Sequence, residues 1–185
     1  FLKPEIIHVN ELSFMRYWKK FNVNLTGYHR LITNLIRREL FYDGIYTHIT
    51  NTNLGNSNLS GGDLILTWMP VKGMRIVSST SVWNTSTKDP EVTNGTWQNY
   101  TGMYTSLMAS YRVKGGWMFQ LWGSYSPTAR VIQGYLLRNY GGGFGIQKSL
   151  LKEKATLNVN VYDVLKSRWF AFESYDLGNY QMTSI

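Results

Sequence analysis

Residues 155–162, ATLNVNVY, alternate without a fault: Ala155, Leu157, Val159 and Val161 take one side, Thr156, Asn158, Asn160 and Tyr162 the other. A period of two in a run rich in β-branched residues predicts a strand. Its polar side carries no charge. A soluble sheet turns Lys, Glu and Thr to water, whereas uncharged Asn, Thr and Tyr opposite an aliphatic side suit a strand set between lipid and a wet lumen.

The same pattern recurs along the chain. Near its start, Leu12, Phe14 and Trp18 alternate with Glu11, Ser13, Met15 and Tyr17, with Arg16 a misfit on the apolar side. Lys19 and Lys20 make a reversal. Phe21, Val23, Leu25 and Gly27 then oppose Asn22, Asn24, Thr26 and Tyr28, so the two runs predict a hairpin. Past Leu31 the alternation dissolves into a long stretch rich in Asn, Thr and Gly, expected to hold irregular extensions of strands. Leu64, Leu66 and Trp68 next oppose Asp63, Ile65, Thr67 and Met69, and Pro70 and Gly73 bracket a short turn.

Residues 74–83 predict the return strand but leave its faces undecided, because Ser and Thr occupy both parities. Residues 84–99 read as a polar loop. Met103, Leu107, Ala109 and Tyr111 oppose Tyr104, Ser106, Met108 and Ser110 before a short VKGG turn. Trp117, Phe119, Leu121 and Tyr125 then oppose Met118, Gln120, Trp122 and Ser124. Aromatics at both ends of that apolar face are what two membrane interfaces require. Residues 126–139 read as a loop, and the glycines around Phe144 allow the following strand to bend or sit close to a neighbour.

The expected fold class is all-β, with about eight strands of roughly 9 to 12 residues, the length a tilted strand needs to cross a bilayer. Short turns at Lys19, Pro70, Lys114 and Ser149 alternate with long connections after Ile36, Asn84, Ser126 and Asp163. Short turns at one end and long loops at the other mark a transmembrane antiparallel β-barrel.

Composition sharpens this reading. Of the 185 residues, 43% are hydrophobic and 15% aromatic, but only 16% are charged, and such a balance fits a membrane-interface protein. No run approaches the roughly 20 apolar residues of a spanning helix, so any crossing must use strands. The net charge of +8 could suggest nucleic acid. However, Lys19, Lys20, Lys72, Lys114, Lys148, Lys152 and Lys154 fall at strand ends or turns and form no RNA-binding motif, so no nucleic-acid partner is expected. With no cysteine there is no disulfide frame, thiol nucleophile or Cys-based zinc site. The first residues form no basic, apolar signal region, so export implies a start removed ahead of this sequence.

Candidate chemistry is sparse. His8, His29 and His48 are too far apart for a local metal motif. Glu5, Glu11 and Asp63 have no spacing that links them and no accompanying nucleophile motif, so no catalytic, cofactor or metal site is expected. GGGFG at 141–145 lacks the Lys-Ser/Thr of a phosphate loop and reads as a strand glycine cluster. Trp83, Trp97, Tyr100, Trp122 and Trp169 could stack on a ligand, but an aromatic belt or packing inside a barrel is the favoured account of them. Ligand-binding residues are left unassigned.

Three stretches carry a family resemblance. FLKPEIIHVNELSFMRYW resembles the Leu-Lys-Pro-Glu loop and following strand of TonB-dependent outer-membrane receptors. KSLLKEKATLNVNVYDVLKSRWF is similar to their late-barrel pattern of basic turn, alternating strand, Asp and hydrophobic pair. ITNTNLGNSNLSGGDLILTWMPVKG fits another segment of the same barrels, most closely the outer-membrane β-barrel branch common in Bacteroidetes.

The resemblance implies that residues 1–185 are a partial transmembrane β-barrel domain of a larger barrel of about 22 strands, with the plug and closing strands outside this sequence. It further implies a cell outer membrane location and nutrient import without a cofactor. The implied partners are outer-membrane lipid, the plug, TonB acting through that plug, and a surface lipoprotein.

In such a barrel the lipid-facing residues would be Leu64, Leu66, Trp68, Phe119, Leu121, Leu157, Val159 and Val161, with Asn158 and Asn160 turned to the lumen. The short lysine-bearing turns with Lys72 and Lys114 would face the periplasm, and the loops bearing Lys88 and Arg130 the outside. A complete eight-stranded barrel with a structural or adhesion role is the rival expectation, and a soluble lipocalin-like barrel a third.

Overall fold

A computed structural model of the chain describes residues 1–42, 45–53, 55–88, 95–131, 134–167, 170–174 and 181–184. Its principal element is a sheet of eight strands. In chain order these are β1 (Ile6–Tyr17), β2 (Phe21–Thr33), β5 (Asn56–Trp68) and β6 (Met74–Lys88), followed by β7 (Trp97–Val113), β8 (Trp117–Ser126), β11 (Asn139–Leu150) and β12 (Ala155–Val161). Each pairs antiparallel with the next, in the order β1-β2-β5-β6-β7-β8-β11-β12. Among the described residues, no helix is long and apolar enough to cross a membrane.

The remaining strands lie between the main ones or, for the last two, after β12. β3 (Ile36–Tyr42) and β4 (Thr47–Asn53) form a separate hairpin between β2 and β5. β9 (Ala129–Val131), β10 (Gly134–Leu136), β13 (Phe170–Ser174) and β14 (Gln181–Ser184) make a small sheet in the order β14-β13-β10-β9. All of these insertions occur at the same end of the main strands. The other end carries four short turns, at residues 18–20, 69–73, 114–116 and 151–154.

Local chemistry closes those turns. In the first, Trp18 N–H donates to Phe21 O at 2.8 Å. Gly115 and Gly116 hold φ of 78° and 77°, the left-handed region that glycine enters without a Cβ penalty. In the fourth turn Leu151, Lys152 and Glu153 hold φ of 51°, 56° and 70° without that exemption.

The structure corrects several expected bounds, and the 126–139 stretch read as a loop holds β9 and β10. The 84–99 stretch is not simply a loop: β6 runs on to Lys88 and β7 begins at Trp97, with pairs from Asn84↔Thr101 to Lys88↔Trp97. Beyond an apolar band a strand has water on both sides, so the ladder continues after the alternation has gone. The stretch past Leu31 holds the regular β3–β4 hairpin. Ser149 sits inside β11 opposite Thr156, and the reversal follows it at residues 151–154.

The sheet is open. Among the described residues, β1 pairs only with β2 and β12 only with β11. All of β1 is exposed, as is β12 from Thr156 onward.

Candidate functional site

Register sorts the sheet into two faces. The cross-strand row Phe14, Leu25, Leu64, Thr80, Thr105 and Tyr125 lies on one of them, and so does Val23, Leu66, Ser78, Leu107 and Gly123. Tyr111, Phe119, Ile146 and Val159 continue that face to the far edge. All eight positions expected to meet lipid therefore share it: Leu64, Leu66, Trp68, Phe119, Leu121, Leu157, Val159 and Val161. The ambiguous strand resolves too, with Ile76, Ser78, Thr80 and Val82 joining this apolar face.

The opposite face is polar. Asn24, Ile65, Ser79, Ser106, Ser124 and Gly141 form one row across it, and Gln120, Gly145 and Asn160 another. Asn158 lies here opposite Gln147.

Burial inverts the rule of a soluble fold. Among the described residues Tyr100 is the one buried hydrophobic side chain, whereas Ser57 and Thr87 are 2% and 1% exposed. The buried positions of the main sheet, Ser57, Thr87, Tyr100, Gly102, Gly143 and Gly145, all fall on the polar face. On the apolar face Leu121, Leu157 and Val159 remain more than half exposed. Apolar area of this extent left open needs a non-aqueous partner. The crowded side of this sheet is the polar one, as expected of the inner side of a barrel wall.

The apolar face is banded. Trp18, Phe21, Trp68, Tyr111 and Trp117 mark its short-turn end, and Tyr125 and Tyr140 the other. Trp117 and Tyr125 lie on the same strand, about 26 Å apart at the usual strand rise, which matches the height of an outer-membrane apolar band. The Arg16 guanidinium lies 5.0 Å above the Trp18 ring and the Lys148 ammonium 4.5 Å above Trp117. A cation over an amphipathic ring at the band's edge reaches headgroups and water while its stem stays on apolar surface. This accounts for the misfit Arg16. Within the band, Thr80 and Thr105 satisfy each other, Oγ1 to Oγ1 at 2.9 Å.

Rings on the polar face lie over glycines. Tyr28 is opposite Gly61, Trp83 opposite Gly102 and Trp122 opposite Gly143, and in each pair the ring occupies the space a glycine Cβ would take. The ring covers the neighbouring backbone and keeps its own apolar area from water. Trp122 also meets Tyr162 at 5.5 Å between centroids. At the loop end Tyr100 O–H donates to Gln98 Oε1 at 3.3 Å, and Arg130 lies 5.9 Å over the Tyr100 ring. Of the five aromatics singled out in the sequence, Trp83, Tyr100 and Trp122 share this face, Trp97 is opposite Lys88 on the other, and Trp169 lies outside the described residues. The rings were visible in the sequence. Their glycine partners were not, because each lies on the neighbouring strand.

The titratable candidates are scattered. His29 Nδ1 and Ser60 Oγ are 2.8 Å apart, and Glu5 accepts a hydrogen bond from Ile36 N at 2.8 Å. Among the described residues no three His, Asp or Glu side chains gather as a metal site.

An antiparallel sheet with consecutive strands, an exposed apolar band edged by aromatics and a polar face opposite is the wall of an outer-membrane β-barrel. Comparison with family models is decisive on class. The outer membrane protein beta-barrel family matches over residues 1–185, and the chain belongs to that family. Its location is the outer membrane, where it associates with lipid. Neither the curated proteins nor the solved structures gave a significant match.

Proposed function

We propose that this chain is part of the barrel wall of a TonB-dependent receptor importing a nutrient, and that it works as wall and loops rather than as an enzyme. The observation carrying this reading is the open two-faced sheet: eight strands, one apolar face and two unpaired edges among the described residues. Unpaired edges are not tolerated in lipid, so further strands complete the barrel. The crowded, uncharged polar rows suit a lumen that holds a plug, and the eight apolar positions from Leu64 to Val161 meet acyl chains. The short turns face the periplasm. TonB acts through the plug, and a surface lipoprotein can cap the loop end.

Uptake and assembly test this together. Cells expressing the full-length polypeptide should import substrate only with TonB present and the inner membrane energised. Residues 1–185 expressed alone should aggregate in detergent. A heat-modifiable, cooperatively folded monomer of residues 1–185 would instead support the closed eight-stranded barrel.

A further inference from the structure

The net charge of +8 is concentrated at one rim. Residues 14–23, 66–78, 109–120 and 147–157 make up the four short turns and the strand ends leading into them. They contain ten of the 19 Lys and Arg but only one of the 11 Asp and Glu, Glu153. The rest of the sequence holds nine cations and ten carboxylates and is close to neutral.

Half of the rim cations line a single groove of about 530 Å³: Lys19, Lys20, Lys72, Arg75 and Arg112. All five are exposed, and none is paired with a carboxylate among the described residues. Arg75 faces Ser110 across the β6–β7 ladder, and Arg112 lies two positions beyond Ser110, so the two guanidinium stems are diagonal neighbours on the polar face. Five cations held together without counter-charge repel one another, and an anionic occupant would relieve that repulsion. Met69 and Met118 supply an adaptable apolar lining beside them.

We infer that this groove holds an acidic polypeptide segment at the short-turn mouth of the lumen. The inference rests on the polar face being the lumen. Placement argues against a lipid headgroup, because Arg75 and Arg112 point away from the apolar band, whereas a separate apolar hollow of about 290 Å³ beside Trp68 opens on the band side of the same strand ends. Guanidinium forks bind carboxylates in bidentate fashion, so Asp and Glu side chains fit this pair.

Thiol protection in the purified full-length protein tests the proposal. A Ser110→Cys variant is modified with a methanethiosulfonate reagent, with and without an Asp/Glu decapeptide, an Asn/Gln decapeptide, or phosphatidylglycerol vesicles. In about 50 mM salt the acidic peptide should slow modification about tenfold, and about 500 mM salt should abolish that protection. A thiol already protected before addition, and released by salt, identifies a resident acidic segment and supports the proposal equally. In either case R75Q/R112Q should remove the protection, while R16Q/K148Q, an equal loss of charge on the other face, should retain it. Protection absent both before and after the acidic peptide is added, equal with the neutral peptide, insensitive to R75Q/R112Q, or given only by the vesicles overturns the proposal. Brominated lipid separates the two possible failures. Quenching of a fluorophore at Ser110→Cys would refute the lumen reading itself, whereas quenching at Leu107→Cys alone leaves that reading intact.

Discussion

The two faces of the main sheet are made by the same backbone and differ in what each side chain does with its surroundings. On the apolar face Leu121 and Leu157 are each 56% exposed, and Gly27 has nothing within 4 Å of where a Cβ would sit. On the polar face Gly61, Gly102 and Gly143 lie under rings, and Ser57 and Thr87 are sealed. Crowding and polarity go together here, the reverse of a soluble sandwich, where the crowded side is the apolar one. The difference teaches that the solvent for this sheet's apolar side is not water, and that its tightly packed side is the wet one.

Charge breaks this comparison with the largest effect. Arg in place of Val159 should destabilise the intact barrel by about 2 to 4 kcal/mol if the site is near the bilayer midplane, while Arg in place of Asn158 should cost well under half of that. Denaturant titration of the barrel refolded into bilayers measures both. Equal penalties, or a larger one at Asn158, would mean the faces are assigned the wrong way round.

Volume gives a smaller effect with the opposite sign of contrast. A Cβ on Gly143 would run into Val161 O and lie 2.7 Å from Trp122 Cζ2, whereas one on Gly27 meets open space. Gly143→Ala should therefore cost about 1 to 3 kcal/mol through forced displacement of strand and ring. Gly27→Ala should change stability by less than about 0.5 kcal/mol. The same titration reads both, and a penalty at Gly27 matching that at Gly143 would show that both faces are equally packed.

What the sequence revealed follows from this asymmetry. Alternation was legible in ATLNVNVY and in the strand from Trp117 because each carries one uninterrupted apolar side. It failed for β6, where Ser78 and Thr80 stand on the apolar face, and only pairing with Leu66, Leu64, Leu107 and Thr105 places them. It failed again in Asn84–Lys88 and Trp97–Asn99, where polar residues on both sides look like loop although the ladder persists. The rim groove was hidden for a different reason. Lys20 and Lys72 belong to two separate turns and Arg112 to the strand end before a third, and only the sheet brings them side by side. The lysines at strand ends form no nucleic-acid motif in the sequence, and their one-sided placement becomes visible only when the turns are known to share an end.

The smallest effect concerns hydroxyls, and it sharpens the comparison because each face has one bonded pair. Thr80 and Thr105 meet at 2.9 Å on the apolar face, and Ser57 and Thr87 at 3.1 Å on the polar one. In lipid an orphaned hydroxyl has no water to turn to, so Thr80→Val alone and Thr105→Val alone should each cost about 0.5 to 1.5 kcal/mol. Thr105 Oγ1 keeps a 3.3 Å bond to Ser79 O when Thr80 is changed, so T80V should be the milder of the two. Replacing both removes donor and acceptor together; Ser79 O also loses its 3.3 Å partner, but the new methyl groups face acyl chains and offset that loss, so T80V/T105V should return close to wild type. The polar pair should behave otherwise. Ser57 also bonds Ser86 O at 3.4 Å in a sealed site, and S57A/T87V leaves that carbonyl with one partner fewer and no lipid contact in exchange. Its double variant should keep most of the single-variant losses. A double-mutant cycle on each pair, read by refolding stability in bilayers, makes the test, and recovery on the polar face without recovery on the apolar one would contradict the assignment of the two solvents.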